Sequence, residues 1–220
     1  MTIGLIMMIA ASYLLGSINP AYLLGRAKGF DIRRRGSNNA GASNALIVMG
    51  KRAGVLIAFL DIFKAFLAVT AAQHWLPSLP YAGVFAGVAC TVGHIFPLFM
   101  HFRGGKGLAC LGGLILALDA RLFVAFLALE LILVLLADYI CIVPISAAAL
   151  LPIVYWILAG DRAGAVALLA MAIVIVCKHM ENIKRIRQGT EAHFSFLWKR
   201  KDELERLAQK NAESADREQK

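Results

Sequence analysis

A chain of 220 residues with 60% hydrophobic side chains and a mean hydropathy of +0.70 is too apolar for an ordinary soluble domain, where about 45–50% of residues are apolar. Its net charge of +9 would suit nucleic acid. The basic residues avoid the long apolar runs, however, and that distribution belongs to loops beside a membrane, so nucleic-acid binding is set aside. The four cysteines (Cys90, Cys110, Cys141 and Cys177) lie in or beside apolar runs with no C-x-x-C pair. They read as packing residues, which excludes a zinc or disulfide framework.

In chain order, the first sixteen residues lack a basic n-region and run on into apolar sequence, as an uncleaved first span does and a signal peptide does not. Apolar stretches follow one another at 4–25, 53–74, 81–101, 122–137, 140–159 and 163–178, with a shorter one at 107–118. Each of the six is close to the roughly 20 residues a helix needs to cross hydrocarbon. Residues 1–198 read as one integral membrane domain. The charged stretch 199–220 reads as a solvated tail without chemistry.

Lysine and arginine set the orientation. Seven lie in 26–52, eleven lie from Lys178 onward, and Arg103 and Lys106 flank the third stretch. The positive-inside rule puts all three regions in the cytoplasm and the N-terminus outside. Segment 102–106 and the tail share a side only if an even number of spans lies between them. The 107–118 segment must therefore cross as a short fourth span. The expectation is an all-α, polytopic transmembrane helical bundle of about seven spans, N-terminus outside and C-terminus cytoplasmic.

Three polar segments interrupt the apolar runs. The first, Asp31 to Asn44, combines Arg33, Arg34 and Arg35 with Gly36, Ser37, Asn39, Gly41 and Asn44. These are neutral donors, flexible backbone and forked cationic donors, the composition an anion requires. An ordinary cytoplasmic loop has the same composition. The second runs from Gly93 to Ala109 and contains Gly104-Gly105-Lys106-Gly107 before an apolar helix. Backbone amides, a helix N-terminus and a lysine can cradle phosphate, although the Walker spacing is absent. The glycines would also suit close helix packing. The third runs from His179 to Glu191. On a continued helix, His179, Asn182 and Arg185 share one face, and Glu181 can pair with Arg185. Inside the second span Asp61 and Lys64 stand three apart, which fits a substrate or proton pathway or, the reading preferred, a mutually neutralising strut that needs no further partner and orients the polar site. No catalytic triad, H-E-x-x-H or H-x-x-x-x-D motif is present, and no metal or other cofactor is expected.

Taken together, the segments resemble the bacterial acyl-phosphate-dependent glycerol-3-phosphate acyltransferase family. The pattern G-S-x-N-x-G-A-[ST]-N is met by Gly36 to Asn44, G-H-x-x-P-x-F-x-x-F-x-G-G-K-G by Gly93 to Gly107, and H-x-x-N-x-x-R-x-x-x-G-x-E by His179 to Glu191. The resemblance implies transfer of a fatty acyl group from acyl phosphate to the 1-hydroxyl of glycerol 3-phosphate, giving lysophosphatidic acid and phosphate. It implies a multi-pass protein of the bacterial plasma (inner) membrane with cytoplasmic active-site loops. The implied partners are both substrates, membrane lipids and a soluble acyl-phosphate-forming enzyme. Ser37, His179 and Asn182 would take catalytic roles. Asn39, Asn44, Gly104, Gly105, Lys106, Gly107 and Arg185 would bind substrate phosphate, and Asp61, Lys64 and Glu191 would support the site. Three departures stand out: Asn38 where the family has Gly, Ile47 where it has a phosphate-binding Arg, and Cys141 near a usual Ser. Ile47 leaves open a divergent member that transports or handles lipid without the reaction.

Overall fold

A computed structural model of the chain describes residues 3–191, 193–197 and 206. The tail expected over 199–220 lies outside the described residues except for Arg206. Among the described residues there are nine α-helices, three 3-10 turns and no strand. The helices are α1 (Ile3–Ser17), α2 (Pro20–Ala27), α3 (Ala42–Met49), α4 (Lys51–Trp75), α5 (Ala82–Ile95), α6 (Leu108–Leu118), α7 (Ala120–Ala137), α8 (Ile142–Ala159) and α9 (Arg162–Gln188).

Six helical stretches are long and apolar enough to cross a membrane: Ile3–Ala27, Lys51–Trp75, Ala82–Met100, Ala120–Ala137, Ile142–Ala159 and Arg162–Gln188. They coincide with the six long apolar runs. The seventh, α6, has 11 residues, a length of about 16 Å against roughly 30 Å of hydrocarbon. It lies inside the bundle, with Cys110, Leu111, Gly113, Leu114 and Ile115 buried against α4, α5, α7 and α8. The outward faces of α4 and α7 present Val55, Phe59, Phe63, Leu127, Leu131 and Leu135, the apolar surface that lipid requires.

The first span is not one helix, as the run 4–25 had suggested. It breaks before Pro20, which has no N–H to continue the ladder and favours extended backbone at the residue before it. Asn19 takes that extended conformation, and its side chain accepts the Tyr22 amide at 2.8 Å, capping α2. By contrast α9 continues past the apolar run to Gln188, where Gly189 ends it with φ +69°. The third polar segment therefore rides on a rigid helix that emerges from the bundle.

The helices touch through small residues. A Cβ on Gly16 would lie 2.0 Å from the Cys90 carbonyl oxygen, and one on Gly113 would lie 2.1 Å from that of Ile62. α1 thus meets α5, and α6 meets α4, at backbone contact, the usual economy of membrane bundles. Gly16→Val should separate α1 from α5 and lower stability by about 1–3 kcal/mol or more. Gly112→Ala, whose Cβ would find ordinary contact at 3.6 Å, should stay within about 0.5 kcal/mol. Thermal unfolding of both variants in detergent measures the contrast.

Candidate active site

The first polar segment is built around a single asparagine. Asn44 is fully buried. Its amide nitrogen lies against the carbonyls of Ile32 (3.1 Å), Arg35 (2.9 Å) and Asn39 (2.8 Å), and its oxygen accepts the Ser37 amide at 2.8 Å. The loop must then turn tightly. Gly36 has φ +61°, and any Cβ there would meet the Asn44 carbonyl oxygen at 2.2 Å. Asn38 takes φ +57°, a conformation that asparagine tolerates. Ser37 stays exposed and Asn39 half-buried.

Of the three arginines, Arg33 is fully engaged. It chelates Asp31 at 2.7–3.2 Å, donates to the Met100 carbonyl at 2.8 Å and lies over the Tyr22 ring. This pairing holds the Asp31 carboxyl down at about 2. Arg35 stacks on Phe30, 4.3 Å from the ring centre.

The second segment is pinned from several sides. Tyr13 donates to the Phe96 carbonyl at 2.8 Å, and Ser17 Oγ accepts the Leu98 amide at 3.3 Å. Lys178 lies over the Phe96 ring. The Gly104 amide donates to the Ile95 carbonyl at 3.1 Å and the Gly105 amide to that of His94 at 3.0 Å. The two amides expected to cradle phosphate are therefore turned inward. The glycines act by allowing close approach: a Cβ on Gly104 would be 2.0 Å from the His94 carbonyl oxygen, and one on Gly105 2.0 Å from His94 Nε2. Gly107, with φ +94°, then opens α6 without a side-chain cap, leaving its first-turn amides without an intrahelical partner.

The second and third segments meet through charge. The Lys106 ammonium donates to the Asn182 carbonyl oxygen. Asn182 in turn donates to Glu191 Oε1 at 2.6 Å, and Arg185 donates to Glu191 Oε2 at 2.6 Å and to Glu181 at 3.1 Å. Asn182 and Glu191 are buried. Arg206 reaches back to the carbonyls of Gly189 and Glu191, each at 2.7 Å. One turn before Asn182, buried His179 places Nδ1 2.8 Å from the Ile175 carbonyl. A carbonyl only accepts, so Nδ1 carries a proton and Nε2 is the acceptor of the neutral ring. Burial, and then the Arg185 charge, lower the Lys106 pKa from 10.5. Burial and the Glu191 charge push the Cys141 thiol up to about 11, keeping it neutral.

Beneath the loops the Asp61–Lys64 pair has further partners, contrary to the expectation of a self-contained strut. The ammonium is 2.8 Å from Asp61 and donates to the carbonyls of Gly16 (3.0 Å) and Ile18 (2.9 Å). His94 Nδ1 lies 3.2 Å from the same carboxylate oxygen and 3.1 Å from Lys64 Nζ. Asp61, His94 and Cys110 offer metal-type ligand atoms within 4.8 Å of one another. The lysine ammonium already stands against two of the three and supplies the positive charge a metal ion would bring.

This architecture has close counterparts. The model of the glycerol-3-phosphate acyltransferase family matches residues 6–189. The chain belongs to the glycerol-3-phosphate acyltransferase family. A glycerol-3-phosphate acyltransferase of Trichlorobacter lovleyi is 37% identical over 194 residues, covering 88% of this chain and 99% of that one. One from Bacillus velezensis is 35% identical, covering 84% and 95%. Two crystal structures of PlsY, an integral membrane glycerol 3-phosphate acyltransferase, superpose with TM-scores of 0.82 (glycerol 3-phosphate form) and 0.79 (lysophosphatidic acid form). Each is 29% identical and covers 88% of this chain and 97% of that one.

Within this acyltransferase fold, Lys106, Asn182, Arg185 and Glu191 form one connected group, with His179 one turn before Asn182 on α9. Asn44 and Asp31 organise the first loop from inside it. Sequence reasoning gave Asn19 and His94 no role in the site, and it read Arg33 as an anion donor where the structure binds it to Asp31 and the Met100 carbonyl. Asn19-Pro20 was a readable helix-start signal, whereas His94 meets partners 30 and 33 residues away that no local spacing reveals.

Asn44→Ala would remove the partner of the Ser37 amide and of the Asn39 carbonyl and a second donor to the Ile32 and Arg35 carbonyls, at about 1–3 kcal/mol for each group left buried without a partner. Limited proteolysis within 33–41 should accelerate, and product formation should fall with it. For Lys106 the charge is present below its lowered pKa and lost as pH rises through it. Glycerol 3-phosphate affinity should therefore decline on the alkaline side below pH 10.5, and Lys106→Arg should move that decline upward. A pH series of the Kd tests this.

Proposed function

We propose that the protein transfers a fatty acyl group from acyl phosphate to the 1-hydroxyl of glycerol 3-phosphate, releasing 1-acyl-glycerol 3-phosphate (lysophosphatidic acid) and phosphate. The observation that carries this reading is the Lys106–Asn182–Glu191–Arg185 cluster beside His179. Two substrates that both carry phosphate repel each other, and two cations in a half-buried setting offset that repulsion where water screens it weakly. The solved relatives hold glycerol 3-phosphate and lysophosphatidic acid, a substrate and product of this reaction.

In the proposed step the 1-hydroxyl oxygen bonds to the acyl carbon as the bond from that carbon to the phosphate oxygen breaks. The hydroxyl proton passes to the leaving phosphate or to His179 Nε2. An acyl phosphate is already activated, so placement within reaction distance supplies most of what the site must do. Ser37, Asn39 and Asn182 serve as neutral donors, and Lys106 and Arg185 carry the phosphate charge. We further infer that α6 crosses as a short seventh span, placing the three polar segments on the cytoplasmic face of the bacterial inner membrane. There a soluble enzyme can deliver acyl phosphate while the acyl chain stays in lipid.

One residue favours a second reading, a lipid-handling relative without the reaction. Ile47 is 47% exposed on α3, where relatives are expected to carry a cation for phosphate. Membranes containing the protein, given acyl phosphate and labelled glycerol 3-phosphate, should form lysophosphatidic acid. Lys106→Ala and His179→Ala should each lower the rate by about a hundredfold or more. Ile47→Arg should lower KM for glycerol 3-phosphate by about tenfold. No product above an empty-vector control would favour the lipid-handling reading, and acyl-CoA working equally well would remove the donor assignment.

A further inference from the structure

The buried Asp61–Lys64–His94 cluster lies beneath the charged group of Lys106, Asn182, Arg185 and Glu191, yet it is tied to both glycine-bearing loops. We propose that these three are positioning residues that hold the first and second polar segments in register and thereby set the affinity for glycerol 3-phosphate. The proposal rests on the acyltransferase reading of the site.

Two connections carry it. Toward the first segment, the Lys64 ammonium binds the Gly16 and Ile18 carbonyls at the break between α1 and α2. Those carbonyls end a helix and have no intrahelical partner. The three residues so fixed, Gly16 to Ile18, include Ser17, which accepts the Leu98 amide, and they lead directly into Asn19, which donates to the Ala40 carbonyl at 2.9 Å. Toward the second segment, Asp61 lies 3.2 Å from the His94 ring. The His94 carbonyl accepts the Gly105 amide, and Gly105 packs so closely on the ring that a Cβ would be 2.0 Å from Nε2. Lys106 is the next residue. Any movement of the His94 ring therefore displaces the backbone that aims the Lys106 ammonium.

The chemistry explains why charges do this work inside a membrane bundle. The Lys64 ammonium donates to two carbonyls and at the same time sets its charge against the Asp61 carboxylate. An aliphatic side chain would leave both carbonyls without that donor and the carboxylate without its countercharge, where water cannot replace them. The carboxylate neutralises the lysine and also orients the imidazole.

The test measures KM and kcat at saturating acyl phosphate, and Kd for glycerol 3-phosphate, in wild-type, His94→Gln, Lys106→Met and the combined variant. His94→Gln is expected to raise KM and Kd by about ten- to a hundredfold. If His94 acts through Lys106, the combined variant matches Lys106→Met alone. Folded His94→Gln protein with unchanged KM and Kd, or effects that multiply in the combined variant, would overturn the proposal. Where His94→Gln fails to fold, Asp61→Asn/Lys64→Met removes both charges together and should show the same rise. Its unchanged Kd would overturn the proposal equally. Absence of product from wild-type sinks the acyltransferase reading instead, and the Kd comparison still decides the positioning role.

Discussion

Irregular backbone carried into a membrane bundle has no water to satisfy it, so every carbonyl and amide exposed by a helix break must find a partner within the protein. This chain breaks its helices before Pro20 and again at Pro97, and it meets the requirement with side chains. Lys64 takes the carbonyls of Gly16 and Ile18, Tyr13 that of Phe96, Arg33 that of Met100 and Asn19 that of Ala40. Asn44 does the same for the first loop. The polar loops are thus held from beneath and from the side by groups that are not free to bind substrate.

The division of labour in the site follows. Residues whose hydrogen bonds are spent inward, among them Asn44, Arg33 and the Gly104 and Gly105 amides, fix shape. In the proposed reaction the phosphate is left to the Lys106 and Arg185 charges, tempered by Glu191, with His179 and Asn182 on the C-terminal part of α9. A rigid helix is a precise place for these groups. Asn182 is held between a cation and a carboxylate, so its orientation is decided before substrate arrives. The lowered pKa of Lys106 comes from the same packing, which takes the cation partly out of water and then sets it near the Arg185 charge.

Much of this was legible in the sequence. Hydropathy located all six long helical stretches and the short seventh, because a span must be apolar along its whole length. The three-residue spacing of His179, Asn182 and Arg185 became informative once α9 was read as continuing, and Gly189 marked its end. The left-handed backbone at Asn38 was likewise foreseeable. The sequence did not disclose which groups of each loop face inward. The Gly104 and Gly105 amides read as a phosphate cradle because composition does not record direction, whereas their partners are the carbonyls of His94 and Ile95. Asp61 and Lys64 looked self-sufficient at spacing three. Their partnership with His94, Gly16 and Ile18 crosses 30 to 48 residues of chain and is set by helix packing alone.

A glycerol 3-phosphate site preformed around Lys106 by loops held from within should bind its ligand without an acyl donor. Equilibrium binding of glycerol 3-phosphate to the purified protein in lipid nanodiscs, wild-type against Lys106→Met at increasing salt, measures this. Binding to wild-type should be saturable, weaken with salt and fall by at least about tenfold in the variant. Equal affinity in the two proteins would place the phosphate away from Lys106.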